Sequence, residues 1–140
     1  SDIVAMIGEL KSLEEDCVLV GYCPILSREE FESPYIPKAV FSKENLLLYM
    51  SRSPIPGNKS GKFSKAWRQV CAYAFTKSTL SLFGLNKSKS VLEEIEDIET
   101  LRFLENGVSV RGVAMSSDSI AVDCPEDIEK IKNRLNNATL

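Results

Sequence analysis

Apolar positions recur along the chain with two different periods, and the switches between them mark out the elements. In "DIVAMIGELKSL", residues 2–13, Ile3, Met6, Ile7 and Leu10 share one face at helical spacing, and Ser1 or Asp2 can cap it. A helix is predicted there. "CVLVGYCPI", residues 17–25, is almost continuously apolar, β-branched or aromatic until Pro24 ends it, which predicts an interior strand buried on both faces. "SREEF" then offers a short helical turn, and Pro34 and Pro37 break the chain. "KAVF" and "LLLYM" flank "SKEN" as the two strands of a hairpin.

Residues 51–65, "SRSPIPGNKSGKFSK", gather two prolines, two glycines, four serines and four basic side chains, and read as an exposed loop. "QVCAYAF" is the next strand and "KSTLSLFG" a short helix stopped by Gly84. "KSVLEEIEDIETLRFLENG" keeps helical spacing up to a stop at Asn106-Gly107. "VSVRGVAM" is a further strand, "SIAV" a last short one, and "PEDIEKIKNRLNN" the closing helix. Strands and helices mix without a strict βαβ repeat, so the expected class is α/β, a mixed sheet covered by helices in one domain spanning residues 1–140.

Composition narrows the function classes. With 44% hydrophobic and 26% charged residues and a net charge of −3, the 140-residue chain is neither disordered nor basic enough to point to nucleic acid. No apolar run approaches the roughly 20 residues that cross a bilayer, and no basic-then-apolar leader opens the chain, so a cytoplasmic location is expected. Cys17, Cys23, Cys71 and Cys124 lack C-x-x-C spacing and lie mostly in apolar runs, which predicts buried thiols. There is no histidine. A Ser-His-Asp triad, a Cys-His pair and a His-ligated zinc are thereby excluded from these residues, and the remaining carboxylates, Lys, Arg, Tyr and hydroxyls suit metal-assisted phosphoryl or nucleotidyl transfer better than acyl transfer.

Asp123 is the one acid whose placement asks for a reason. Pro125 fits the first helical position, which makes Cys124 the cap, and Glu126 and Asp127 already supply first-turn negative charge. Asp123 is therefore not needed for capping, and it sits at a strand end beside a helix start, where α/β sheets bind ligands. A solvated residue, or a cap displaced by one position, is the bland alternative.

"LLLYMSRSPIPG", "RQVCAYAF", "IEDIETLRFLENG" and "DSIAVDCPEDIEKI" stand in the order and spacing of the blocks in the C-terminal half of the 3-deoxy-manno-octulosonate (Kdo) cytidylyltransferases, the CMP-Kdo synthetase family, which this chain resembles along nearly its whole length. The resemblance implies a nucleotide-diphospho-sugar-transferase-like fold, a homodimer, and a Mg²⁺-dependent enzyme joining CTP and Kdo to give CMP-Kdo and pyrophosphate for lipopolysaccharide biosynthesis. By likeness to the family's V-D-T-P-E-D motif, Asp123 would hold the metal. Arg52 matches the arginine of the Ser-Arg-x-Pro-Ile-Pro loop at the sugar site, where a guanidinium fork suits a carboxylate. Gln69, Tyr73, Glu99 and Thr100 match positions that line the sugar pocket.

Several positions depart from the family. Gln69 replaces a histidine, Cys71 a glycine, Thr100 a glutamine, and Ala121 and Cys124 stand where the last motif has Gly and Thr. Gln69 can exchange hydrogen bonds but carries no charge. These changes leave open a related acid sugar in place of Kdo. Residues 1–140 also hold no G-x-x-x-x-G-K-[ST] loop and nothing like the family's phosphate-gripping N-terminal half. The chain is thus expected to be inactive alone, as the sugar-side and dimerisation part of a cytidylyltransferase. The competing expectation is a truncated half-domain that binds or dimerises without catalysis.

Overall fold

The structure is a computed structural model that describes residues 2–13, 15–85, 88–117, 128–129 and 131–133. Five strands form one mixed sheet: β1 (Val18–Pro24), β2 (Lys38–Phe41), β3 (Leu47–Ser51), β4 (Trp67–Phe75) and β5 (Val110–Ala114), in the order β3-β2-β4-β1-β5. β1 lies inside the sheet, antiparallel to β4 and parallel to β5. This is the interior position that its unbroken apolar run predicts. Val18, Leu19 and Val20 are all fully buried, and their alternation sends Val18 and Val20 to one core and Leu19 to the other.

Each core is roofed by helices. On one face α1 (Asp2–Ser12) brings Met6 and Leu10 against Leu19, Val70, Ala72 and Met115. On the other, α4 (Val91–Glu96) and α5 (Thr100–Glu105) set Leu101 and Phe103, with Ile98 between the two helices, against Val18, Val20, Leu47, Met50 and Val110. α2 (Arg28–Glu32) follows β1 and is capped by Ser27 Oγ, which accepts from Glu30 N–H at 3.1 Å. α3 (Lys77–Leu85) follows β4.

The predicted hairpin is present as β2 and β3. Ser42 Oγ accepts from the Glu44 and Leu46 N–H groups, and Asn45 takes the left-handed conformation (φ 60°) that asparagine tolerates in turns. Its tip folds onto β5, where Asn45 O accepts from Gly112 N–H at 2.8 Å and Glu44 O from Arg111 Nη1 at 3.1 Å. The approach leaves no space at Gly112, because a Cβ there would lie 2.5 Å from the Phe41 ring and 2.9 Å from that of Tyr22.

Three expectations need correction. The helical run of residues 89–107 is two helices, because Asp97 adopts a left-handed conformation (φ 53°) and Arg52, directly after β3, holds the chain there, its Nε donating to Glu96 O and its backbone N–H to the Glu96 carboxylate. Gly84 does not stop α3, which runs on to Leu85. Cys17 and Cys23 are buried as expected, but Cys71 is exposed: β2 pairs with β4 only at Trp67 and Arg68, and the outer side of the strand opens beyond that point. The expected strand at residues 119–122 lies outside the described residues, as does most of the closing helix, of which residues 128–129 and 131–133 are helical. Among the described residues no helix is long and apolar enough to cross a membrane.

Candidate functional site: an aromatic pocket between β4 and α5

β4 carries Gln69, Tyr73 and Phe75 on one side, and α5 opens with Thr100 directly after its cap residue Glu99. Tyr73, Phe75, Phe83, Phe103 and Leu80 enclose a cleft of ≈ 220 Å³, and Glu99 and Thr100 complete its lining. The rings support one another, with Phe103 centroids 5.6 Å from both Phe75 and Phe83. The result is an apolar pocket with a few polar groups at its wall, a common form of small-molecule site.

Gln69 is buried and its Nε2 donates to the Tyr73 hydroxyl, which leaves the phenolic O–H free to donate in turn. Burial, then the neighbouring Cys71 and Glu99, push the Tyr73 pKa up to about 12, so the phenol stays neutral and remains a donor at ordinary pH. Thr100 is only 2% exposed and its Oγ1 finds no partner at hydrogen-bonding geometry, although the Tyr73 phenol is near enough to feel it. A buried hydroxyl left without a full partner beside a cavity is a place where a ligand's polar group gains a bond at little cost. Glu99 is exposed at the same wall. The structure thus brings Gln69, Tyr73, Glu99 and Thr100 together.

Arg52 lies apart from the pocket lining. Its Nε donates to Glu96 O at 2.6 Å, Nη2 to Asp97 O at 2.9 Å and Nη1 to Pro34 O at 3.1 Å, so the guanidinium is turned to main-chain carbonyls at the end of α4. Asp123 lies outside the described residues. Among the described residues no group of three or more His, Cys, Asp or Glu side chains is placed to hold a metal ion. Lys59, Lys62 and Lys65 are exposed on their loop, with the Lys65 ammonium 5.1 Å from the centre of the Trp67 ring.

Sequence reasoning passed over three residues. Lys38, within a strand, is fully buried and its ammonium donates to Ser33 O and Arg52 O. Glu96 and Glu93 lie in the acidic run "LEEIEDIE", a pattern that by itself predicts only a solvated helix face. Instead the Glu96 carboxylate accepts from Ser51 Oγ at 2.6 Å and Arg52 N–H at 2.8 Å, and Glu93 is buried against Arg102. Glu93 carried a legible signal, since Ser90-x-x-Glu93 has the spacing of a capping box and its carboxylate does accept from Ser90 N–H at 3.1 Å.

No protein-family profile matches the chain. The 3-deoxy-manno-octulosonate cytidylyltransferase of Chlorobium luteolum is 38% identical over 113 residues, which are 80% of this chain and 45% of that protein. The protein of the same name from Thermodesulfovibrio yellowstonii is 34% identical over 143 residues, 96% of this chain and 55% of its own length. The chain is homologous to about half of such a cytidylyltransferase. An 8-amino-3,8-dideoxy-manno-octulosonate cytidylyltransferase of Shewanella sp. strain ANA-3 is 34% identical over 122 residues, 87% of this chain and 49% of that protein. Against a solved CMP:2-keto-3-deoxy-manno-octonic acid synthetase complexed with CTP, the TM-score is 0.86 at 24% identity, covering 98% of this chain and 56% of the other. That likeness shows that the chain has the fold of the matched part of that synthetase; the chain spans about half the length of its curated relatives.

Proposed function

We propose that the chain is the sugar-side part of a cytidylyltransferase that couples CTP with Kdo, or with the 8-amino analogue named for some relatives, to give the CMP-sugar and pyrophosphate in lipopolysaccharide biosynthesis. The observation that carries this reading is the meeting of Tyr73, Glu99 and Thr100 at one aromatic pocket. In the reaction a sugar hydroxyl attacks the α-phosphorus of CTP, the new oxygen–phosphorus bond forms, and pyrophosphate leaves with the electron pair of the broken bond. The pocket's share is to hold the sugar: aromatic faces cover its C–H surfaces, the Tyr73 hydroxyl donates, and Glu99 and Thr100 accept from sugar hydroxyls. Gln69 orients the Tyr73 hydroxyl. The family likeness also leads us to assign Mg²⁺ to the complete enzyme, with Asp123 as a ligand, and to expect a cytoplasmic homodimer.

Steady-state kinetics of Tyr73→Phe and Glu99→Gln in the complete enzyme test the pocket. Losing one hydrogen bond to the sugar is expected to raise the KM for sugar about tenfold while that for CTP stays as it was. An unchanged sugar KM in both variants would remove this pocket from the sugar site.

A further inference from the structure

Arg52 carries the expectation of gripping a sugar carboxylate, yet each of its three guanidinium nitrogens already donates to a main-chain carbonyl, those of Pro34, Glu96 and Asp97. At most two of its five N–H groups are left for anything else, on a side chain that is 34% exposed. Its backbone is held as firmly. The Arg52 N–H donates to the Glu96 carboxylate at 2.8 Å, and its carbonyl accepts from the buried Lys38 ammonium, which reaches across to Ser33 O at 2.7 Å. Three distant stretches, residues 33–34, 51–52 and 96–97, are thereby tied at one point. The last of them ends at the left-handed Asp97, two residues before Glu99, with the buried Ile98 between.

We propose that Arg52, with Lys38 and Glu96, is a positioning residue: it fixes the turn between α4 and α5 and so sets where Glu99 and Thr100 stand in the pocket, without contacting the substrate itself. The functional consequence rests on reading that pocket as the sugar site; the positioning does not. Breaking the tie frees the carbonyls of Glu96 and Asp97, and the turn loses what holds it in the left-handed conformation.

The test uses the ¹⁵N-labelled 140-residue chain, with Kdo and its methyl ester as probes. Without ligand, Arg52→Ala and Glu96→Gln are expected to shift the amide signals of residues 97–100, with Arg52→Lys intermediate. Both variants then weaken Kdo and the uncharged ester by the same factor, about tenfold, because the pocket and not the carboxylate contact has changed. Weakening of Kdo alone in Arg52→Ala, with the signals of residues 97–100 in place, would overturn the proposal and make Arg52 a direct carboxylate ligand. Should Arg52→Ala fail to fold, Glu96→Gln decides, since it keeps the guanidinium and removes only a carboxylate anchor; unmoved signals there overturn the proposal too. If the wild-type chain binds neither probe, the sugar reading is lost, and the ligand-free signals alone still decide the positioning.

Discussion

Lys38 shows how far a single residue can depart from its usual behaviour when the fold encloses it. Burial, then the neighbouring Arg52 charge, lower its pKa from 10.5 to about 8, with Glu96 acting in the opposite sense. Between those two values the unfolded chain keeps a proton that the folded chain has released. Stability should therefore rise with pH across that window, by up to roughly 1.4 kcal/mol per unit, and be insensitive to Lys38 below it. Urea midpoints of wild type and Lys38→Met, compared between about pH 8 and about pH 10, check this. The slope should flatten in the variant, whatever its absolute loss from two carbonyls left without a donor, and an equal slope would clear Lys38 as its source. Nothing in "KAVF" announces this role, because a lysine in a strand reads as an exposed edge residue until the partners that enclose it are known. Tyr73, Glu99 and Thr100 were legible only through the likeness of their blocks to a family, since local pattern cannot show that β4 and the start of α5 face one another.

At the level of elements, periodicity gave β1, the β2–β3 hairpin and the stop after α5 correctly, because each is decided by neighbours in sequence. At the stop, Gly107 takes φ 72° and Val108 N–H bonds back to Phe103 O at 2.9 Å. The division of α4 from α5 was hidden, because it is imposed by Arg52 and Glu96 from 44 residues apart and overrides helical propensity. What keeps the two short helices together is the Glu93–Arg102 pair. Arg102 Nε and Nη2 reach the carboxylate at 2.5 and 2.6 Å, with Glu93 1% exposed and the guanidinium stacked 4.0 Å from the centre of the Phe83 ring. Burial alone would raise the Glu93 pKa, but the hydrogen bonds from Arg102 and Ser90 overcome it and hold the carboxyl below its ordinary value. Glu93→Ala removes the buried carboxylate that two guanidinium nitrogens reach and should cost about 3–5 kcal/mol of stability. Thermal melts check it; a loss below about 1 kcal/mol would mean that the pair is screened like a surface one. Because Arg102 also braces Phe83, the same variant should loosen the pocket wall.

For the whole molecule, the question is whether a well-formed half suffices for chemistry. Both faces of the sheet are roofed and a ligand-sized pocket is in place, yet the chain spans only 45–55% of its curated relatives' length. The described residues offer no cluster of metal-binding side chains, and the sequence offers no phosphate loop. Nucleotidyl transfer depends on positioning both substrates and on neutralising charge at the phosphates. The expected outcome is that the 140-residue chain releases no pyrophosphate from CTP and Kdo by itself. It should do so when joined in one polypeptide to the nucleotide-binding half of a cytidylyltransferase relative. Activity of the fusion that falls with Tyr73→Phe and Glu99→Gln would place the sugar in the β4–α5 pocket. A folded fusion that binds CTP yet forms no product would favour the competing half-domain, in which the pocket binds or assembles without catalysis. The departures at Gln69, Cys71 and Thr100 give that outcome a physical route: each alters a side chain at or beside the pocket while leaving both hydrophobic cores, and so the fold, untouched.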